Sequence, residues 1–158
     1  MSRSVNKAVV RRFIVEAWNA EDTSAVDALV HEDYGIPGAG RGPEAVKHNM
    51  AIYRAAFPDL EWTIDEMITE GEWVAVRLML NGTHQGEFRG IPATGKRIAM
   101  QEMVFWRIVD GKLHTIHAQA ETLGLRIQLG AIPPTAWNQP VTAPPSSPDG
   151  MEATSTDA

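Results

Sequence analysis

The apolar residues of the first third of the chain recur at helical spacing. Val5, Val9, Phe13 and Ala17, flanked by Val10, Ile14 and Trp18, form one stripe, which predicts an amphipathic helix over Val5 to Trp18 with Ser4 as its N-cap. A shorter helix is predicted over Ser24 to Val30, with Ala25, Val26 and Leu29 turned inward, before His31, Glu32 and Asp33 break the pattern. Pro43, which needs no amide partner in a first helical turn, opens a third helix running from Ala45 to Phe57 and ending at Pro58.

After Pro58 the period changes to two. Leu60, Trp62 and Ile64 alternate with Glu61, Thr63 and Asp65, Glu70-Gly71 marks a turn, and Trp73 to Leu80 is a nearly continuous apolar run. The segment Ile98 to Val109 ends at Asp110-Gly111, a strong hairpin signal, and leads into LHTIHAQAETLG at residues 113–124. In the Ile98 strand, Met100, Val104, Trp106 and Ile108 share one face and Met103, Phe105 and Val109 the other. Apolar residues on both faces predict a sheet covered on both sides, or one curled around an enclosed space. Three helices followed by hairpin-connected strands give an α+β fold.

The last stretch differs. Six of the ten prolines lie between Pro133 and Pro148, among Ser, Thr and Ala, so residues 1–132 are expected to form one domain and 133–158 a disordered extension. A chain of 158 residues has room for one domain with a real core. The formal charge of −6 and scattered Lys and Arg argue against a nucleic-acid partner. The absence of cysteine excludes disulfides and thiolate chemistry. MSRSVNKAVVRRF lacks the features of a signal peptide, and no apolar run suits a membrane span, which predicts a cytoplasmic protein without a membrane partner.

The chemistry points to LHTIHAQAETLG. On a strand, Leu113, Thr115, His117, Gln119 and Glu121 share a face, opposite His114, Ile116, Ala118 and Ala120. Between strands apolar on both faces, such a polar row is expected to line an enclosed cavity. Gln101 joins it from the neighbouring strand, on the face of Met103 and Phe105, whereas Glu102 lies on the opposite face. His114 and His117, three apart on a strand, point to opposite sides, and no regular ligand set appears, so no metal is expected.

The segments AFPDLEWTIDEMITEGEWVAVRLMLNGTHQGEFRGIPATGKRI, VFWRIVDGKL and ETLGLRIQLG, preceded by VRRFIVEAWNAED, together resemble the SnoaL-like polyketide cyclases of the nuclear-transport-factor-2-like superfamily, over roughly residues 5–130. The resemblance implies a cone-shaped half-barrel, a strongly curved antiparallel sheet whose deep apolar pocket is closed by the N-terminal helices. It also implies homodimers or homotetramers, and an aldol ring closure of a polyketide-like small molecule in antibiotic biosynthesis, run by a carboxylate acid/base without a cofactor. Glu121 matches the position of the family's catalytic aspartate but is one methylene longer. Thr115, Ile116 and His117 stand where members read Glu-His-Trp, so His117 is the residue expected to assist Glu121. Gln101 and Gln119 are candidates to hold the developing oxyanion. Tyr53 and His84 are candidate contacts, and Met103, Phe105 and Trp106 a wall for a large planar substrate. The departures keep two alternatives open: a hydroxylase or isomerase on the same fold, and a module that binds without converting.

Overall fold

The computed structural model describes residues 3–36 and 38–135. The expected extension at 133–158 therefore lies almost wholly outside the described residues. Helix α1 (Arg3–Arg12) runs directly into a π-helical segment (Phe13–Asn19), where the sequence predicts one continuous α-helix. The wider turn, closed by Ala20 N–H donating to Val15 O at 3.0 Å, brings Phe13 and Trp18, five residues apart, onto one buried face. Helix α2 (Thr23–Leu29) is capped by Asp22, whose side chain accepts from the Ser24 and Ala25 amides. The Ser24 hydroxyl, donating to the same carboxylate at 2.6 Å, and then these amides hold the Asp22 carboxyl below the usual range. A two-residue pair, β1 (Gly35–Ile36) and β2 (Gly40–Arg41), precedes α3 (Gly42–Ala56), which carries Pro43 in its first turn and stops before Pro58 as the sequence predicts.

Four strands make the main sheet: β3 (Glu61–Glu70), β4 (Trp73–Thr83), β5 (Arg97–Val109) and β6 (Lys112–Ala120), antiparallel and in sequence order. Asp110 and Gly111 both take positive φ, 48° and 77°, as a two-residue hairpin requires. Register shifts at Ile64/Glu66 and Arg107/Ile108 are bulges, which bend the strands that carry them. The sheet stays open as a half-barrel, and α4 (Thr122–Leu129) follows β6.

The core lies on one side of this sheet. Val74, Val76, Leu78 and Leu80 of β4 and Ile98, Met100, Val104, Trp106 and Ile108 of β5 pack beneath the N-terminal helices. The helices are tied down by polar bonds as well as by packing: Asn19 both donates to Trp62 O at 2.8 Å and accepts from Trp62 N–H at 2.9 Å. The other face is open, so of the two expected arrangements the sheet takes the second, curled around a space on its inner side. Phe105 and Met103 there are 51% and 53% exposed. Among the described residues, no helix is long and apolar enough to cross a membrane.

Candidate functional site

Between the helices and the inner face of the sheet lies a cavity of about 880 Å³. That is ample for a multi-ring small molecule. β5 and β6 provide its floor through Glu102, Val104, Trp106, Ile116, Ala118 and Ala120, and the π-helical segment covers it with Phe13, Ile14 and Trp18. α3 adds Val46, Asn49 and Tyr53, and Arg89 reaches the lining from the β4–β5 connection. Aromatic edges lock the wall: Phe13 meets Trp106 edge-on at 6.0 Å, and Trp18 meets Trp62 and Tyr53 at 5.7 and 5.8 Å.

Glu102 is the carboxylate of this cavity. It sits in β5 between Leu78 of β4 and Ala120 of β6, in a row otherwise made of Met100, Val104, Trp106 and Ile108. Its carboxyl makes no hydrogen bond or ion pair with another described residue. Burial alone pushes its pKa up to about 7. A carboxyl poised near neutrality, in an apolar enclosure, both accepts and returns a proton at physiological pH.

Two tyrosines share the cavity with it. Tyr34 is buried, and its oxygen accepts from Trp106 Nε1 at 2.9 Å, so that bond leaves the phenolic proton free for another acceptor. Burial is the main cause that raises the pKa of both Tyr34 and Tyr53, and the charge of Glu102 raises them further. Both hydroxyls therefore stay protonated donors. Arg89 holds φ at 50°, a backbone region unfavourable to a side chain of its size, and its guanidinium stands 5.3 Å over the Phe88 ring.

The residues predicted from the polar row fall mostly elsewhere. Phe105 pairs with His117 and Met103 with Gln119 on the outer face, where the His117 ring stacks on Trp73 at 5.6 Å. His117 and Gln119 border the cavity along the edge of β6, while their pairing with Phe105 and Met103 sets them in the outward-facing row. Gln101, Met103, Gln119 and Glu121 instead border a shallow hollow of about 290 Å³ on the outer face. Glu121 is exposed at the start of α4. Its carboxylate folds against Gly124, where a methyl group would come within 2.7 Å of Glu121 Oε1. Met103 and Phe105, expected on the pocket wall, face outward for the same reason of strand alternation.

His84, a candidate contact, is fully buried against Phe57 at 5.2 Å and pairs through Nδ1 with Thr94 Oγ1 at 3.0 Å. Burial lowers its pKa, and it is absent from the cavity lining, so it is a structural residue of the β4–β5 connection. Tyr53 and Trp106 do line the cavity. Sequence reasoning missed Glu102, Tyr34, Asn49 and Arg89. For Glu102 the signal was present: one ionisable residue in the most apolar alternating row of the chain.

The SnoaL-like polyketide cyclase family model matches residues 8–129. The aklanonic acid methyl ester cyclase DnrD of Streptomyces peucetius is 38% identical over 135 residues, covering 80% of this chain and 92% of the relative. The nogalonic acid methyl ester cyclase of Streptomyces nogalater is 34% identical over 124 residues, covering 74% and 92%. Among solved structures, TsrD of Streptomyces laurentii superposes with a TM-score of 0.78 at 27% identity, covering 84% of this chain and 99% of that one.

Proposed function

Because the chain belongs to the SnoaL-like polyketide cyclase family, we propose that it closes a ring in the methyl ester of a polyketide acid by an intramolecular aldol addition, with Glu102 as acid and base. The observation that carries the assignment is the carboxyl of Glu102, without a side-chain partner among the described residues, in a cavity lined mainly by apolar and aromatic side chains. The ester class is that of the relatives, whose substrates are the methyl esters of aklanonic and nogalonic acids.

In the proposed reaction the Glu102 carboxylate takes a proton from a carbon next to a carbonyl. The resulting enolate carbon attacks a second carbonyl carbon of the same molecule, forming the ring bond while the C=O π pair becomes an alkoxide. The alkoxide then takes the proton back from the Glu102 carboxyl. Atoms and electrons balance within one molecule, so no oxidant, reductant or cofactor enters, and the product has the substrate's mass. The hydroxyls of Tyr34 and Tyr53 and the Asn49 amide, which line the same cavity, are the donors this reading assigns to the enolate or alkoxide oxygen, with the greatest effect where charge develops away from water.

The outer face supports a second part of this reading, a homodimer formed through the sheet. Met103, Phe105 and Ile68 are exposed by 53%, 51% and 69% on strands of one sheet, with the Trp73–His117 stack beside them. A cytoplasmic enzyme acting on a diffusible intermediate completes the proposal.

Incubation of the protein with the methyl esters of aklanonic or nogalonic acid tests it. A product of unchanged mass and new retention is expected. Oxygen uptake with a gain of 16 mass units, the signature of a hydroxylase, would overturn it, as would tight retention of the ester without conversion.

A further inference from the structure

We propose that His31, Asp33 and His114 form a surface site for a divalent late transition metal, zinc, nickel or copper in type. The backbone brings the three together from distant parts of the chain. Val30 pairs with Leu113 in an isolated parallel bridge, and His31 N–H donates to Leu113 O at 2.9 Å. This stitch sets residues 30 and 31 beside residues 113 and 114, and the His31 and His114 rings lie 4.7 Å apart, tilted by 42°. The turn after His31, closed by Tyr34 N–H donating to His31 O at 3.0 Å, carries Asp33 back toward the same ring. Asp33 Oδ2 stands 3.7 Å from His31 Nδ1.

One ligand atom from each residue lies within 4.8 Å of the other two. Ligands around a tetrahedral ion at about 2.1 Å are roughly 3.4 Å apart, so the widest separation in the set has to contract by up to about 1.4 Å. The side chains have the freedom to do so, since Asp33 is 63% exposed and His31 35%. Two imidazoles and one carboxylate prefer Zn²⁺, Ni²⁺ or Cu²⁺ over Mg²⁺ or Ca²⁺, which take all-oxygen sets, and they leave a fourth position for water.

None of the three residues lines the cavity. Their position gives the site a structural purpose. The turn at 31–34 delivers Tyr34, whose amide closes it and whose hydroxyl receives the Trp106 indole. An ion held between His31, Asp33 and His114 fastens that turn to β6, on which the cavity floor is built.

The test uses the full chain without an affinity tag, titrated calorimetrically with ZnCl₂ and NiCl₂, with MgCl₂ as the comparison. One saturable equivalent of zinc or nickel and a rise in Tm are expected, with no response to magnesium. His31→Ala and His114→Ala are each expected to weaken binding by at least about tenfold, and His48→Ala, on α3, to leave it unchanged. Because each variant's fold is read independently by circular dichroism, lost binding is separable from lost structure. Copper spectra showing nitrogen couplings from two imidazoles would agree. No saturable uptake of zinc or nickel, or uptake that survives both histidine substitutions, overturns the site.

Discussion

Glu102 and Glu121 lie at the same end of the β5–β6 pair but on opposite sides of the sheet. Glu102 is paired with Ala120, the residue just before Glu121, so the two carboxylates are close neighbours along the fold. The inner one meets Val104, Trp106 and Tyr34 in a cavity roofed by helices, and burial lifts its pKa to about 7. The outer one folds over Gly124 at the surface. Two residues of identical chemistry thus receive different work from their surroundings. What separates them is which side of the sheet the N-terminal helices cover.

The most severe way to break this comparison is to neutralise each carboxylate in turn. Glu102→Gln is expected to lower kcat by about 10²–10⁴-fold with the fold intact, and Glu121→Gln to change it by no more than a few-fold. The reverse ranking, measured by single-turnover cyclisation, would return the acid/base role to the outer position that the family resemblance assigns.

The pH dependence sharpens the same contrast. Since the base must be ionised, kcat/KM is expected to rise with pH through an inflection near 7, and Glu102→Gln to abolish that inflection. Stability moves the opposite way. A carboxyl whose folded pKa is raised from 4.5 to about 7 favours the folded state in its protonated form, and that advantage is lost as pH rises through about 7. Glu102→Gln is therefore expected to be more stable than the parent above pH 7, by on the order of 2–3 kcal/mol, with the difference vanishing below about pH 4.5 in urea unfolding.

Smaller effects are expected from the groups around each carboxylate. Tyr34→Phe removes the acceptor of the buried Trp106 indole N–H, a cost of about 1–3 kcal/mol readable as a fall in Tm. On the outer face, Phe105→Glu is expected to leave monomer stability within about 0.5 kcal/mol but to shift sedimentation from dimer to monomer. Cyclisation retained by that monomer would show the inner face to be self-sufficient.

The positions of the helices and strands were legible because periodicity is local: a stripe at Val9, Phe13 and Ala17, or a lone Pro43, reports on its own few neighbours. The face of the sheet turned to the cavity was not. Met100, Val104 and Trp106 alternate with Met103 and Phe105, and both sets are apolar, so alternation separates them without saying which is roofed. The polar row at His117, Gln119 and Glu121 was given to the cavity for that reason, and Glu102 was set aside with the opposite face. The π-helical widening at Phe13–Asn19 has no signature beyond the five-residue spacing of two aromatics. His31 and His114 are joined by a single bridge between segments more than eighty residues apart, which no local pattern announces.

The strand order has a kinetic consequence. Since β3 to β6 pair with their sequence neighbours, the sheet assembles from short loop closures, whereas α1 and the π-helical segment reach it only through distant contacts such as Asn6 to Gly71 and Asn19 to Trp62. The roof is therefore expected to form last, and substitutions at the roof residues Phe13 and Trp18 to give low φ-values in stopped-flow folding, speeding unfolding while leaving the folding rate nearly untouched.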